Sequence, residues 1–95
     1  MIQTFEWDYH KALINKKAHN VSFEEAKSVY GDMFACIFED IDHSVNENRE
    51  IIIGFSEMNR LLTIVFTERN NNIRIISARK STKKERNLYE KNSNL

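Results

Sequence analysis

Short apolar runs separated by polar turns fill the second half of the chain. Four runs rich in Ile, Leu, Val and Phe predict strands, at 33–38, 51–55, 61–66 and 73–78. The segment 56–60 fits a hairpin loop, and so do the three Asn at 70–72, because Asn tolerates the left-handed backbone angles of tight turns. A polar stretch at 39–50 connects the first two runs. The pattern therefore predicts an antiparallel meander of four strands.

The first half of the chain has the spacing of helices after one short strand. An aromatic run at 4–7 predicts an edge or first strand. Asp8 begins a helical stretch, where its carboxylate can cap free backbone N–H groups. Ser22 and Glu25 have the S-x-x-E spacing of a capping box, which predicts a second helix that ends near Gly31.

The end of the chain repeats the capping-box spacing. Thr82 and Glu85 precede a short basic helix that we expect to end near Lys91. Helices grouped around an antiparallel meander are typical of the α+β class. We therefore predict one domain over residues 1–95, with the meander packed by two N-terminal helices and a short C-terminal helix.

The charge of the chain is balanced in total and uneven in position. Residues 1–68 hold six Lys and Arg against twelve Asp and Glu, whereas residues 69–95 hold eight against two. A basic C-terminal third is typical of an anion or nucleic-acid site, although basic surfaces are also common without any specific partner. No apolar run approaches the length of a membrane span, and no signal peptide is apparent, so we expect a cytoplasmic protein without a membrane partner.

Charged residues cluster in the last hairpin, at 65–80. Strict alternation would put Ile73, Ile75, Ser77 and Arg79 on one face and Arg74, Ile76, Ala78 and Lys80 on the other. A Glu68–Arg74 ion pair across the turn is an ordinary structural explanation for part of this charge. Arg79 and Lys80 lie just before the last helix, where a helix N-terminus and an arginine fork both favour phosphate.

Other candidate chemistry is sparse. His19 lies just before the second helix, where it could transfer protons or simply form structural hydrogen bonds. The three His are scattered, Cys36 is alone, and no metal-binding spacing occurs, so we predict neither a metal site nor a cofactor.

Several blocks together resemble the BrnT-type toxins of bacterial type II toxin–antitoxin systems. The blocks come in family order and run from Phe5 to Glu90: FEWD, HNVSFEEA, DIDHS with NREIIIG, TER, RIISARK and ERNLYE. The resemblance implies a single BrnT-like toxin domain with a RelE-like ribonuclease fold. It also implies a toxin that cleaves RNA without metal and inhibits translation. Its partner would be a BrnA-type antitoxin, a ribbon-helix-helix protein through which alone the complex binds operator DNA.

The same resemblance suggests roles for individual residues. In toxins of this fold a ribose 2′-OH attacks the adjacent phosphate, which requires a base, an acid and cations for the transition state. Arg79 would be the leading transition-state cation and Arg69 the second. His19 or Glu68 would transfer protons, and both remain open. Four further basic residues would bind RNA: Lys17, Arg74, Lys80 and Lys83.

Two departures from the family pattern leave a second hypothesis open. The family usually has Lys-His-Gly where this chain has Ala18-His19-Asn20, and it is usually more basic overall. The alternative is a non-catalytic protein-binding module of the same fold that has lost nuclease activity. A buried, carboxylate-paired Arg79 would favour the module. An Arg79 exposed in a concave basic site, with Arg69 and His19 nearby, would favour the ribonuclease.

Overall fold

The computed structural model describes residues 3–43 and 48–93. Within these ranges the chain forms five strands and three helices. In chain order they are β1 (Thr4–Glu6), α1 (Tyr9–His19), α2 (Phe23–Ser28), β2 (Cys36–Glu39), β3 (Glu50–Phe55), β4 (Leu61–Arg69), β5 (Asn72–Lys80) and α3 (Lys83–Ser93). The α+β class predicted from the sequence is confirmed. The centre of the predicted polar connection, residues 44–47, lies outside the described residues.

The five strands form one mixed sheet in the order β1-β5-β4-β3-β2. The run from β2 to β5 is the predicted antiparallel meander. Strand β1, whose pairing the sequence left open, pairs with the start of β5 in parallel, so the sheet as a whole is mixed. Parallel neighbours need a long crossover, and the intervening helices and strands provide it.

The turn between β4 and β5 is shorter than the three Asn suggested. Asn70 and Asn71 alone form the loop, with φ of 54° and 66°, and Asn72 already belongs to β5. Two successive residues with positive φ are typical of the tight hairpin turn whose twist matches that of the strands. This turn fixes the pairing between the two strands that carry most of the candidate residues.

Side chains cap the helices as the spacing indicated. The Asp8 carboxylate accepts a hydrogen bond from the Lys11 N–H, and Asn20 ends α1 in the left-handed conformation. The Ser22 hydroxyl accepts from the Glu25 N–H at the start of α2, which continues into a 3₁₀ turn ending at Gly31. The caps place the end of α1 and the start of α2 within three residues of each other.

The sheet separates two apolar clusters. The larger lies under α1 and α2 and is built around Phe23, Leu62, Ile64, Phe66 and Ile75. Trp7 packs edge-on against Phe23 at this face. The smaller cluster lies under α3 and contains Ile53, Leu61 and Tyr89. Helix α3 contacts mainly β2 and β3, so it covers only part of its face of the sheet.

Candidate functional site

A bulge in β5 decides which side chains share a face of the sheet. Val65 pairs with Ser77 and Phe66 pairs with Ile75, so Ile76 is an extra residue without a partner on β4. Ile73, Ile75 and Ala78 therefore all lie in the cluster under α1 and α2. The strict alternation expected for Ile73–Lys80 is wrong beyond Ile75.

The bulge gathers arginines on the face that α3 partly covers. Arg79 lies opposite Thr63, Arg74 opposite Thr67, and Arg69 opposite Asn72. These side chains alternate with the core residues of β4, so all three arginines project from the same face. Strict alternation would have put Arg74 and Arg79 on opposite faces.

Arg79 is held by the first turn of α3. Its Nη1 and Nη2 atoms donate to the two carboxylate oxygens of Glu85 at 2.7 and 2.8 Å. Glu85 also accepts hydrogen bonds from the Thr82 N–H and the Thr63 hydroxyl, and its own N–H donates to the Thr82 hydroxyl. The capping box is therefore complete, and its glutamate also anchors the guanidinium.

The surroundings of Glu85 keep it charged. Burial alone would raise the pKa of this carboxyl, but hydrogen bonds from Arg79, Thr82 and Thr63 outweigh burial and lower the pKa to about 2. The Glu85 side chain is 17% exposed, whereas 40% of Arg79 remains exposed. Arg79 is thus paired with a carboxylate, yet it is not buried, and it combines one feature of each hypothesis.

Arg69 does not lie beside Arg79. Arg79 pairs with Thr63, which lies six residues before Arg69 on β4, and two residues span about 7 Å of strand, so the two Cα atoms lie about 20 Å apart. This distance exceeds the combined reach of two arginine side chains. Arg69 therefore lies too far along this face for both guanidinium groups to contact one phosphate, and the catalytic roles expected of the two residues stay predictions.

The two candidates for proton transfer lie in different places. Glu68 pairs with Ile73 and projects from the face of α1 and α2. On that face, burial is the main cause that raises the pKa of Tyr30, and the negative charge of Glu68 raises it further. Glu68 is thus on the opposite side of the sheet from Arg79. His19 is the last residue of α1 and is exposed.

Asn15 fastens α1 to the edge of β5. Its amide nitrogen donates to the Ala78 carbonyl at 2.8 Å, and its amide oxygen accepts from the Ala78 N–H at 3.1 Å. The same nitrogen donates to the Val21 carbonyl, and the side chain is only 7% exposed. His19 follows Asn15 by one helical turn, so the clamp sets its position relative to the strand that carries Arg79.

The four residues expected to bind RNA are dispersed. Arg74 donates to Glu6 on β1 at 2.8 Å, so the expected Glu68–Arg74 ion pair is wrong. Lys80 lies opposite Leu62 and so does not share the face of Arg79. Lys17 is exposed on α1, and Lys83 is exposed at the start of α3. Arg74 alone among the four joins the row formed by Arg69 and Arg79.

Sequence reasoning missed two residues that shape this region. Asn15 was not singled out as a candidate, because a polar residue in a helix does not reveal that it will pair with a strand edge. Arg49 lies with His19 in a cavity beside α1, although it precedes β3. Of the two roles of Glu85, capping α3 and binding Arg79, the capping-box spacing predicted only the first.

Among residues 3–43 and 48–93, no group of three or more His, Cys, Asp or Glu is placed to hold a metal ion. No helix in the same ranges is long and apolar enough to cross a membrane.

Comparisons with known proteins converge on one family. Residues 7–85 match the model of the family described as the ribonuclease toxin BrnT of type II toxin–antitoxin systems. The 1.1 Å crystal structure of the Brucella abortus ribonuclease toxin BrnT has a similar fold, with a TM-score of 0.65 at 18% identity, and the match covers 86% of this chain and all of that one. No curated protein sequence matched.

Proposed function

This chain belongs to the BrnT family of ribonuclease toxins of type II toxin–antitoxin systems, and we propose that it is an endoribonuclease that cleaves RNA without a metal ion. Cleavage of RNA needed for protein synthesis would inhibit translation, which happens in the cytoplasm. The RelE-like classification of the fold is part of this proposal. The observation that carries it is Arg79, a guanidinium fixed by Glu85 yet exposed on a face that holds two more arginines.

The proposed chemistry uses the ribose 2′-OH as the nucleophile. The 2′-oxygen attacks the adjacent phosphorus, the bond to the 5′-oxygen breaks, and a 2′,3′-cyclic phosphate forms. Arg79 would stabilise the extra negative charge on the phosphoryl oxygens, because a fixed cation costs little reorganisation during the reaction. His19 is the better candidate for proton transfer, since Glu68 projects from the opposite face. Arg69 and Arg74 would bind phosphates farther along the RNA.

The proposed protein partner is an antitoxin of the BrnA type, a ribbon-helix-helix protein that neutralises the toxin. Operator DNA would be bound only through that antitoxin. Coexpression of this chain with the product of a neighbouring antitoxin gene should restore growth and yield a complex that co-purifies. Failure of every neighbouring small protein to bind or neutralise it would contradict this part of the proposal.

The test of the activity is induced expression in a bacterial host, with growth and intact RNA followed together. We expect arrest and RNA loss for the wild type, and loss of at least about 100-fold in cleavage rate for Arg79→Ala. Arg79→Lys keeps the charge but loses the bidentate fork, so it should recover only a small part of the activity. Arg86→Ala, at an exposed arginine of α3, is the matched control.

One observation favours the non-catalytic alternative, in which the fold serves only to bind a protein. The Nη1 and Nη2 atoms of Arg79 both donate to Glu85, as expected of a structural ion pair. An abundant, folded wild type that neither arrests growth nor degrades RNA would establish this alternative. Cleavage that requires added Mg²⁺ and stops in EDTA would retain the ribonuclease but overturn metal independence.

A further inference from the structure

A cavity of about 330 Å³ lies between α1 and the edge of β5. Its apolar wall is formed by Ile14, Ala18 and the bulged Ile76. Its polar lining is formed by Asn15 and three basic side chains, Lys11, His19 and Arg49, and none of the lining residues within 3–43 and 48–93 is an Asp or Glu. The cavity is near the small end of the range for ligand pockets, and it therefore fits one small planar group better than a folded partner.

The cavity follows from how the sheet edge is closed. Strand β1 pairs with β5 only at residues 72–74, which leaves the following part of β5 to α1. Asn15 then pairs with the backbone of Ala78, and this holds the helix against the strand. The extra residue Ile76 lies between these two attachments and forms a wall of the cavity. Three independent features of the fold thus produce one recess three residues from Arg79.

We propose that this cavity binds one unpaired nucleotide of the RNA substrate, an assignment that rests on the proposed ribonuclease function. A nucleobase has apolar faces and a polar edge, and its ribose is joined to a phosphate on each side. The base would lie against Ile14, Ala18 and Ile76, while Lys11 and Arg49 supply positive charge for the phosphates. The Asn15 side chain is committed to backbone groups, so it fixes the shape of the site and does not read the base.

The position of the cavity gives it a role in cleavage preference. His19 lines it, and Ile76 connects it along β5 to Arg79. A nucleotide bound there lies next to the group we assign to proton transfer. The nucleotide that fits the cavity would therefore determine which phosphodiester bond is presented to Arg79.

The test compares two neighbouring exposed residues of α1. Ile14, 61% exposed, lines the cavity, whereas Leu13, 52% exposed, does not. Ile14→Glu and Leu13→Glu add the same charge to the same helix. The probe is a short single-stranded oligoribonucleotide with 2′-O-methyl groups, which removes the nucleophile and so separates binding from cleavage.

We expect Ile14→Glu to weaken probe binding by about tenfold or more, and Leu13→Glu to weaken it less than about twofold. When the probe is added to the wild-type protein, the amide chemical shifts of α1 should change around Ile14 and His19. Equal losses from the two variants, or shifts confined to other surfaces, would overturn the cavity assignment while leaving the ribonuclease proposal standing. An unfolding midpoint for each variant verifies that both remain folded.

A second variant tests the same assignment through the products. Ile76→Ala should widen the cavity and change the base preference at one position next to the cut, relative to the wild type cleaving the same set of RNAs. An unchanged preference in a mapped set of cleavage sites would contradict it. A wild type that binds the probe in the cavity but cleaves no unmodified RNA would instead count against the proposed function, not against the cavity.

Discussion

At the scale of single residues, the hydroxyls of the buried Tyr89 and the half-buried Tyr30 differ in whether they form a hydrogen bond. The Tyr89 hydroxyl donates to the Asp32 carboxylate at 2.8 Å, and that carboxylate also accepts from two backbone N–H groups. Burial alone would raise the pKa of Asp32, but these hydrogen bonds outweigh it and lower the pKa. The Tyr30 hydroxyl is buried and has no hydrogen-bond partner among the described residues. Its ring still packs edge-on against Phe5 and Phe66.

The tyrosines therefore predict opposite responses to the same substitution. Tyr89→Phe should lower the free energy of unfolding by about 1–3 kcal/mol, because it removes a bond to a charged acceptor. Tyr30→Phe should leave stability unchanged or raise it, since it removes a buried hydroxyl that gains nothing from the fold. Urea unfolding of both variants measures the difference, and a marked loss of stability for Tyr30→Phe would show that its hydroxyl has a partner after all.

Glu85 predicts a response to pH. Because folding lowers its pKa from 4.5 to about 2, its ionised form contributes stability that is present above pH 4.5 and lost as the pH falls toward 2. Glu85→Gln should cost about 1–3 kcal/mol at neutral pH, and this difference from the wild type should shrink through that window. Unfolding curves across the pH range measure it, with Glu90→Gln, at an exposed position of α3, as the control. A difference that is constant with pH would contradict the role of the carboxylate charge.

At the scale of elements, strand β3 and the segment around Asp32 approach each other closely at Gly54. A Cβ atom there would lie 2.9 Å from the Ala35 Cβ and 3.0 Å from a Val29 methyl group. Gly31 ends the 3₁₀ turn, and a Cβ added there would meet nothing within 4 Å. Only one of the two glycines is thus required by packing.

The two glycines form a matched pair for mutation. Gly54→Ala should lower the free energy of unfolding by about 1–3 kcal/mol, because the overpacked segment must shift away from β3. Gly31→Ala should change it much less, and the difference is measured by thermal or urea unfolding. Equal effects at the two positions would show that the segment next to Gly54 can move away from β3 at little cost in stability.

Elements were predictable from the sequence to the extent that their signals are local. The capping boxes at Ser22 and Thr82 predicted where two helices begin, and the apolar runs predicted the meander. The bulge at Ile76 was not predictable, because β5 reads as an ordinary alternating strand and the extra residue is visible only in its pairing with β4. The faces of Arg74 and Arg79 depend on that pairing, as does the contact of Arg74 with Glu6 on a strand distant in sequence.

At the scale of the whole molecule, the net charge of zero hides two differently charged surfaces. The row of arginines lies on one face of the sheet, whereas Glu68 and Glu50 project from the face of α1 and α2, where their charges act on Tyr30. RNA attraction would then depend on the local row and not on the total charge. The departure from a basic composition is therefore compatible with the proposed function.

Salt dependence of RNA binding tests this separation. Removing one phosphate contact from a single-stranded ligand should reduce the slope of log affinity against log salt by about 0.7. We expect that change for Arg69→Gln, at an exposed end of the row, when the 2′-O-methyl probe is titrated at several salt concentrations. Lys27→Gln removes an exposed charge on α2 and should leave the slope unchanged. Equal slopes for both variants would mean that the whole charge of the molecule, and not the row, attracts RNA.

The extra residue in β5 also makes the strand tolerant of a change in length. Deleting Ile76 would leave every other residue of β5 opposite its present partner on β4, so the arginines would keep their face. What would be lost is one wall of the recess beside α1. For protein engineering, the backbone can thus be shortened by one residue at position 76. The deletion removes the recess but leaves the pairing of β4 with β5 unchanged. A graft of the arginine row onto another hairpin would, by the same reasoning, need its pairing partners but not the bulge.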